Sequence, residues 1–313
     1  MATAAACLRQ GGLVAFPTET VYGLGVAALD AAAVRRLFAA KGRPADDPLI
    51  VHVADAAGLA PLVAERPPIV DLLAARFWPG PLTLVLRRSP LVPDEVTAGL
   101  DTVAIRVPAH PVAQALLAAA GIPVAAPSAN LFSRPSPTRA GHVLEDLDGR
   151  IDIVIDGGAT QVGVESTVLD LSGGVPLVLR PGAVTIEMLR PLLPDVKAGG
   201  VNASGPQRSP GLLDRHYSPR APLTLYEGAE ERVIDRMRKD AEAAHAAGRR
   251  VGLLIPDADP AVTAARLYAA LRDFDAAGVD EILARLPPTT DGLSQAIADR
   301  LRRAAAGRVV HCG

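Results

Sequence analysis

Polar side chains stand at the ends of apolar, strand-like segments in the first two hundred residues of the chain. Thr20 follows the first of these segments, Lys41 and Arg43 close a helix-like segment, and His52 lies inside the apolar run PLIVHV. Arg106 interrupts a further apolar run, VAIRVP. Loops at strand ends are where a rigid scaffold usually presents binding and catalytic groups. The placement therefore predicts a ligand site.

Arg106 is the most informative of these residues. A guanidinium flanked by apolar neighbours is costly to bury without a partner. It either pairs with an internal carboxylate or binds the carboxylate or phosphate of a ligand, for which its planar fork is suited. The sequence leaves both alternatives open. His52 alone is more typical of a hydrogen-bonded core histidine, and Glu19 or Glu165 alone is more typical of a surface or capping acid.

Three short motifs at later strand ends carry hydroxyl, amide and main-chain N–H groups. They are APSAN (Ala126 to Asn130), ESTV (Glu165 to Val168) and RPG (Arg180 to Gly182). Such groups hold phosphate or carboxylate oxygens. Pro-Ser-Ala-Asn is also a generic turn, and the following SRPSPTR, with Ser136, favours anion binding only slightly.

Several functional classes have no support in the sequence. There is no GxxxxGK[ST] phosphate loop, and in GLGVAA (Gly23 to Ala28) the glycines do not directly follow the strand as a dinucleotide fold requires. No GxSxG, HExxH or EF-hand pattern occurs. Cys7 and Cys312 lie at opposite ends of the chain, so neither a disulfide scaffold nor a zinc site is indicated, and metal ligands stay unknown.

The elements that must position these residues alternate between strand and helix. The chain has 313 residues, which indicates two domains, and the pattern favours an α/β fold with a mixed sheet. Asp30, Asp55 and Thr138 are the expected N-caps of helices. Predicted strands are Leu13 to Phe16, Leu49 to Val53, Leu82 to Leu86, Val103 to Val107, Ile122 to Ala125, Ile151 to Ile155, Thr167 to Leu171 and Leu177 to Leu179.

A composition shift divides the chain into a domain over residues 1–196, a linker over 197–222 and a smaller α/β domain over 223–313. In the small domain, LTLY and RVGLLIP are expected strands. Helices are expected from about Ala229 to Ala247, Ala261 to Asp273 and Asp291 to Ala306. The linker holds 4 basic residues and 1 acidic residue, net +3, which is consistent with closure over an anionic ligand or simply with solubility.

Charge and hydropathy exclude two further classes. The first domain carries 15 basic and 19 acidic residues, net -4, which argues against strong nucleic-acid binding. Residues 107–133 contain no Asp, Glu, Lys or Arg, but four prolines interrupt them, so we expect buried core and loop here and no membrane span. No export signal is recognised, and two lone thiols fit a reducing cytoplasm.

Nine motifs, taken in order, resemble the Sua5/YrdC/YciO family, and the two-domain layout is similar to that of its Sua5 branch. The match is specific for the first domain and the linker, whereas the second domain is similar mainly in size and pattern. The motifs are PTETVYGLG, KGRP, PLIVH, FWPGPLTLVL, VAIRVP, PSAN, ESTV, RPG and SPGLLDRHYSP, spanning Pro17 to Pro219.

The resemblance implies a fold and an activity. We expect an N-terminal YrdC-like domain with a twisted mixed sheet, and a smaller Rossmann-like C-terminal domain beyond a linker that folds over the active site. The implied reaction joins L-threonine, bicarbonate and ATP into threonylcarbamoyl-AMP and pyrophosphate, for the t6A modification of ANN-decoding tRNAs. An RNA-binding or regulatory module without synthase activity is the alternative.

The resemblance also assigns roles to residues. Lys41, Arg43, Ser128 and Asn130 match the family's KxR and SxN catalytic elements. Threonine contacts are expected from Thr20, His52, Arg106, Ala126 and Ser166. ATP contacts are expected from Arg43, Asp47, Thr102, Ser128, Ser136, Arg180 and the linker residue Tyr217.

One position departs from the family pattern, and the remaining expectations concern partners. Asp47 stands where the family frequently carries Asn, and its carboxylate would repel a triphosphate unless it faces a metal or a cation. Magnesium is expected to arrive with ATP, with no tightly bound organic cofactor. The expected partners are the substrates, downstream t6A transfer proteins and a weak tRNA contact, without a membrane.

Overall fold

The computed structural model of the chain describes residues 1–199, 217–289 and 291–313. The described residues form two compact units. The first contains Met1–Phe132 and residues 136–199, and the second contains Ser133–Pro135 together with the described residues from 217 onward. Most of the linker predicted over 197–222 lies outside the described residues, so its boundaries stay predictions.

The first unit is built on a ten-stranded mixed sheet. Its spatial order is β10-β9-β8-β4-β5-β3-β6-β2-β1-β7. The strands are β1 Val14–Pro17, β2 Tyr22–Ala27, β3 Ile50–His52, β4 Leu82–Arg87, β5 Thr102–Arg106, β6 Val124–Ala125, β7 Ile153–Val154, β8 Thr167–Asp170, β9 Leu177–Arg180 and β10 Lys197–Ala198. All eight strands expected in this part of the chain are present, while β2 and β10 were not predicted.

This sheet mixes parallel and antiparallel pairs. β3 runs parallel to β5, and β4 runs parallel to β8, whereas β4 and β5 are antiparallel to each other. As a result the carboxyl ends of β3 and β5 lie side by side with the amino end of β4. The side chains that follow or end these strands are therefore brought to one edge of the sheet.

Helices cover both faces of the sheet. α2 shows how the sequence sets their bounds: the Asp30 carboxylate accepts N–H groups of Ala32 and Ala33, and Gly42 ends the helix in a left-handed conformation. The other helices of this unit are α1 Ala2–Arg9, α3 Ile69–Phe77, α4 Asp94–Thr97, α5 Pro111–Ala120, α6 Ala140–Leu147 and α7 Ile186–Leu189, with α2 at Ala31–Lys41.

The uncharged stretch 107–133 differs from the expectation of core and loop alone, because it contains helix α5. Pro111 occupies the first turn, where its missing N–H costs nothing, and the His110 ring accepts the N–H of Val112. Gly121 ends the helix after ten residues. No helix among the described residues is both long and apolar enough to cross a bilayer.

Asp30 and Asp55 are N-caps as predicted, although the helix after Asp55 is of a different type, and the cap predicted at Thr138 needs correction. Asp55 caps a 3₁₀ helix, Ala56–Leu62, and that segment contains Pro61, which lacks the N–H that a continuing α-helix needs. Thr138 lies one residue before the N-cap of α6, which is Arg139. The Thr138 main-chain N–H donates to the His142 ring instead, at 3.2 Å.

The two faces of the first sheet are packed differently. One face buries the large core, to which Val51, Leu84 and Ile105 contribute from the central strands. On the other face, α1 and α5 pack over β1 and β6. The central strands β3, β4, β5 and β8 carry only a small apolar cluster on this second face.

The second unit is a four-stranded parallel sheet with three helices among its described residues. Its strand order is β12-β13-β11-β14. The elements are β11 Leu223–Gly228, α8 Glu230–Ala246, β12 Val251–Leu254, α9 Pro260–Ala277, β13 Glu281–Arg285, α10 Gly292–Ala305 and β14 Val309–Cys312. The expected α/β architecture in both units is confirmed, although β13 and β14 were not predicted.

Candidate functional site

The small apolar cluster on the second face of the first sheet forms the floor of the candidate site. It consists of Ile50, Val85, Ala104 and Val168, one from each of the four central strands. Because side chains alternate along a strand, the residues two positions further on share this face: His52 follows Ile50, and Arg106 follows Ala104. Polar side chains therefore border an apolar floor, as in most small-molecule sites.

Arg106 is the centre of the polar border. Its Nε donates to the Gly80 carbonyl oxygen at 3.1 Å, and its Nη1 donates to Thr20 Oγ1 at 3.0 Å. Its Nη2 lies 2.7 Å from Glu19 Oε1, and both side chains are less than a tenth exposed. A guanidinium has five N–H donors, so these three contacts leave two for a ligand.

The turn that contacts Arg106 requires glycine at position 80. A Cβ at this position would lie 2.2 Å from the Phe77 carbonyl oxygen, a distance that no side chain tolerates. The Gly80 N–H also donates to the Val107 carbonyl oxygen at 2.8 Å. The PGP turn of FWPGPLTLVL therefore lies close against the end of β5, where its Gly80 carbonyl oxygen holds the guanidinium through Nε.

Glu19 corrects a prediction from the sequence. It is neither a surface acid nor a helix cap: its Oε2 accepts the Ala109 N–H at 3.0 Å, and its Oε1 faces Arg106. Burial alone would raise the pKa of Glu19, but the charge and hydrogen bonds of Arg106 and the Ala109 N–H hold it below its ordinary value. The structure thus shows that Arg106 has an internal partner.

His52 lies directly opposite Arg106 in the parallel β3–β5 register. Its ring meets the Phe16 ring edge-on, with 6.3 Å between centroids. Burial, helped by the positive charge of Arg106, lowers the pKa of His52 to about 3. The imidazole is therefore neutral at physiological pH, and its buried Nδ1 has no hydrogen-bond partner among the described residues.

Ser166 and Arg180 form a second polar group on the same face. Ser166 Oγ lies 2.8 Å from Thr83 Oγ1. Arg180 donates from Nη2 to the Ser166 carbonyl oxygen at 3.0 Å and to Ser166 Oγ at 3.2 Å. Thr83 was not predicted from the sequence, but the β4–β5 register, continued one residue beyond Leu84↔Ile105, places it opposite Arg106.

A β-bulge in β9 sets the direction of Arg180. Val168 pairs with Arg180, yet the next residue, Leu169, pairs with Val178, so one extra residue stands in β9. Val178 belongs to the large core on the opposite face. The bulge reverses the alternation and puts Arg180 on the face of Val168, which is a common use of bulges beside functional sites.

Gly182 explains why ESTV and RPG occur together. A Cβ on Gly182 would lie 2.4 Å from the Thr167 nitrogen and 2.7 Å from the Glu165 carbonyl oxygen. Only glycine lets the RPG turn lie on the main chain of ESTV. The two motifs are therefore one structural unit that presents Ser166 and Arg180 together.

Lys41 joins the end of α2 to the PSAN loop. Its Nζ donates to the Ser128 carbonyl oxygen at 2.5 Å and also to the Asn130 carbonyl oxygen. The loop itself is tied to β2 through the Leu24 N–H, which donates to the Pro127 carbonyl oxygen at 2.8 Å. The contacts of Lys41 include the main chain of the loop, and this holds Ser128 and Asn130 in place.

Arg43 and Asp47 form a buried pair next to this loop. Arg43 Nη2 lies 2.8 Å from Asp47 Oδ2, and both side chains are less than a twentieth exposed. Arg43 also donates to the carbonyl oxygens of Asp47 and Pro48. Asp47, the residue that departs from the family pattern, thus faces a cation. A facing cation or metal was the condition under which its carboxylate would not repel a triphosphate.

The remaining predicted residues lie in three places. Ser136 is buried and donates to Glu165 Oε1 at 2.6 Å, beside Ser166. Ala126 follows β6, and its N–H donates to the Ile50 carbonyl oxygen at 2.9 Å. Thr102 shares the face of Ala104 but stands at the start of β5, opposite Arg87, so it is separated from Arg106 by the length of the strand.

Tyr217 belongs to the second unit. Its ring packs against the Tyr268 ring at 5.4 Å between centroids, and the Arg300 guanidinium lies 5.4 Å from its centre. Tyr217 has a φ of 59°, in the left-handed region, which is strained for a residue with a side chain. Its expected contact with ATP stays a prediction.

The donor set does not fit a resident metal. Within residues 1–199, 217–289 and 291–313, no group of three or more His, Cys, Asp or Glu side chains could hold an ion. Asp47, the carboxylate paired with Arg43, is turned toward that cation.

Comparison with protein families identifies both parts of the chain. The Sua5/YciO/YrdC family model, described as "Telomere recombination", matches residues 6–182. A second model, described as "Threonylcarbamoyl-AMP synthase, C-terminal domain", matches residues 184–306.

Individual relatives match the chain over nearly its whole length. Threonylcarbamoyl-AMP synthase of Bacillus subtilis is 46% identical, covering 99% of this chain and 94% of its own. The crystal structure of Pyrococcus abyssi Sua5 complexed with L-threonine superposes with a TM-score of 0.94 at 43% identity, covering 100% of this chain and 96% of its own. Escherichia coli YciO superposes over 61% of this chain and 92% of its own, with a TM-score of 0.53 at 26% identity.

Proposed function

We propose that this chain, which belongs to the Sua5 branch of the Sua5/YrdC family, is an enzyme that makes threonylcarbamoyl-AMP from L-threonine, bicarbonate and ATP. The observation that carries the proposal is the meeting of Arg106, Thr20 and His52 beside the apolar floor. This border offers a cation for a carboxylate and hydroxyl groups for an alcohol. Threonine presents both groups, together with a methyl group that suits apolar surroundings.

The threonine side of the site is assigned to the β3 and β5 ends. Arg106 would hold the substrate carboxylate with the two N–H donors that its internal contacts leave. Thr20, His52 and Ser166 would complete the polar pocket, and Ala126 would contribute main-chain groups. The neutral His52 ring can donate or accept a hydrogen bond without adding charge.

The ATP side is assigned to Lys41, Arg43, Ser128 and Asn130. Carboxylation of the threonine amine by bicarbonate forms a carbamate and releases water. A carbamate oxygen then attacks the α-phosphorus of ATP, a phosphorus–oxygen bond forms to the carbamate, and the bond to pyrophosphate breaks. The protein forms no covalent bond, so its contribution is positioning and stabilisation of the developing charge.

Further ATP contacts are proposed for Asp47, Thr102, Ser136, Arg180 and Tyr217. Arg180 is supported by its place beside Ser166, where it would face both substrates. Lys41 is supported as a residue that holds the PSAN loop, because its ammonium donates to the loop carbonyls. Thr102 has the weakest support of the residues in the first unit, since it stands at the far end of β5 from Arg106.

Magnesium would enter with ATP, held mainly by phosphate oxygens, because the described residues supply no carboxylate cage. No tightly bound organic cofactor is needed for the proposed steps. The adenylate would pass to t6A transfer proteins in the cytoplasm, with at most a weak tRNA contact. The acidic first domain, at net -4, gives little support to the alternative of an RNA-binding module.

Substrate dependence tests this function. Purified protein should release pyrophosphate from ATP only when threonine and bicarbonate are both present, and mass spectrometry should detect the adenylate. Equal release without either substrate would reject the synthase. Tight, salt-sensitive tRNA binding without turnover would favour the RNA-binding module instead.

A further inference from the structure

We propose that Glu19 is a specificity-determining residue, which neutralises Arg106 so that the pocket selects a zwitterionic amino acid over the corresponding carboxylate anion. This inference deepens the proposed function and rests on it, because it takes threonine as the ligand. Glu19 would act through Arg106 and through the charge of the pocket.

The geometry makes Glu19 a fixed part of the pocket. Its Oε2 is held by the Ala109 N–H at 3.0 Å, and its Oε1 lies 2.7 Å from Arg106 Nη2. Its main-chain carbonyl oxygen accepts the Val162 N–H at 2.8 Å, which ties the PTET turn to a second loop. A carboxylate anchored on both sides cannot move away when a ligand approaches Arg106.

The charges in direct contact with Arg106 then sum to zero, and Arg180, the cation beside Ser166 on the same face, is assigned to ATP, whose phosphates would balance its charge. Arg106 contributes one positive charge and Glu19 one negative charge, while His52, opposite Arg106, is neutral. His110, which caps the start of α5, also interacts electrostatically with Glu19. Burial lowers the pKa of His110, as it does that of His52. Thr20 and Gly80 contact Arg106 without charge.

A neutral pocket favours a neutral ligand. Threonine carries one carboxylate and one ammonium, so it enters without leaving a net charge in a poorly hydrated space. The analogue 3-hydroxybutanoate, in which hydrogen replaces the ammonium, would bring an uncompensated negative charge next to Glu19. Without Glu19, Arg106 would instead stand as an unpaired buried cation, which any carboxylate of suitable shape would neutralise.

The test is the ratio of the dissociation constants of 3-hydroxybutanoate and L-threonine, measured by calorimetry on the full chain. Glu19→Gln keeps an oxygen that can accept the Ala109 N–H but removes the charge. We expect this ratio to fall at least tenfold relative to the wild type. Glu19→Asp keeps the charge and should restore most of the preference, and Glu95→Gln, at an exposed pair with Arg35, should leave the ratio unchanged.

A ratio in Glu19→Gln within threefold of the wild type would overturn the inference, since loss of a merely structural contact weakens both ligands equally. If Glu19→Gln does not fold, the wild type still decides: it should bind 3-hydroxybutanoate at least tenfold more weakly than threonine, and equal affinities would overturn the inference. A wild type that binds no threonine at all would instead contradict the proposed function.

Discussion

Two buried ion pairs of the first unit, Glu19–Arg106 and Arg43–Asp47, have nearly the same separation, but the pKa values of their carboxyl groups are shifted in opposite directions. The nitrogen–oxygen distances are 2.7 and 2.8 Å, and all four side chains are almost fully buried. The pKa of Glu19 is nevertheless lowered, whereas burial raises the pKa of Asp47 despite the opposing charge of Arg43.

The difference lies in hydrogen bonding. Glu19 accepts a main-chain N–H from Ala109 in addition to its contact with Arg106. Asp47 Oδ2 and Glu19 Oε1 each have an arginine nitrogen close by without a hydrogen bond of acceptable geometry. The Asp47 carboxylate, however, accepts no main-chain N–H among the described residues, and Arg43 directs two of its donors to main-chain carbonyl oxygens. Proximity of opposite charges is thus not enough to offset burial, because the lone pairs must also be satisfied.

The largest expected effect comes from removing Arg106, the cation of the Glu19–Arg106 pair. Arg106→Ala should lower kcat/KM for threonine by about 10- to 150-fold, because a charge-assisted contact is worth roughly 1.5 to 3 kcal/mol. Steady-state kinetics with threonine varied at saturating ATP measure it. Unchanged kinetics would show that Arg106 has a purely structural role. The Glu19–Arg106 pair would then not contribute to threonine binding.

Replacing Asp47 of the Arg43–Asp47 pair should have a smaller effect, and it should improve substrate binding where Arg106→Ala weakens it. Asp47→Asn takes a negative charge from the proposed triphosphate side and leaves Arg43 free to face phosphate. KM for ATP should fall about three- to tenfold, equivalent to roughly 0.7 to 1.4 kcal/mol, with KM for threonine unchanged. A higher KM for ATP would show that the Asp47 carboxylate assists nucleotide binding.

The same substitution should change how stability depends on pH. Because the pKa of Asp47 is raised in the folded protein, its ionised form costs stability above that pKa, and the cost disappears as the pH falls through it. Asp47→Asn should therefore have a higher Tm than the wild type at pH 7, and the difference should shrink toward pH 4. A wild type with the higher Tm at pH 7, whose advantage over Asp47→Asn disappears on acidification, would mean that Asp47 is ionised and stabilising, like Glu19.

The smallest expected effect concerns His52, which lies opposite Arg106 of the Glu19–Arg106 pair. Its ring should not take up a proton in the physiological pH range. Its pKa of about 3 means that its ring signals, followed by NMR, should not shift between pH 8 and pH 5. Since the unfolded histidine takes up a proton near pH 6.5 and the folded one does not, stability should fall as the pH drops below that value. A ring titration with a midpoint near 6.5 would show that His52 is hydrated.

The sequence predicted most of the first sheet because its strands are short apolar runs with clear boundaries. It missed β2, since YGLGVA is rich in glycine, which strands normally disfavour. It also missed β13, whose ends are Glu281 and Arg285, and β14, in which only two apolar residues stand together before His311. Helix α2 was predicted at its true bounds because its N-cap Asp30 and its glycine terminator are both explicit.

The site was predicted less evenly. The sequence showed that Arg106 needed a partner, but only the fold could show that the partner was Glu19, 87 positions away (106 − 19). Thr83 carried no signal at all, because a threonine in an apolar strand is ordinary. The placement of Arg180 depends on a bulge, and one extra residue in a strand leaves no clear trace in hydrophobic periodicity.

That extra residue in β9 makes the site depend on how the strand pairs, and not only on which side chains it carries. If β9 paired regularly at its present length, Leu179 would stand opposite Val168 and Arg180 would turn to the face of Val178, although the RPG motif would be intact in the sequence. Two chains that share every functional side chain can therefore differ in activity through the pairing of a single residue.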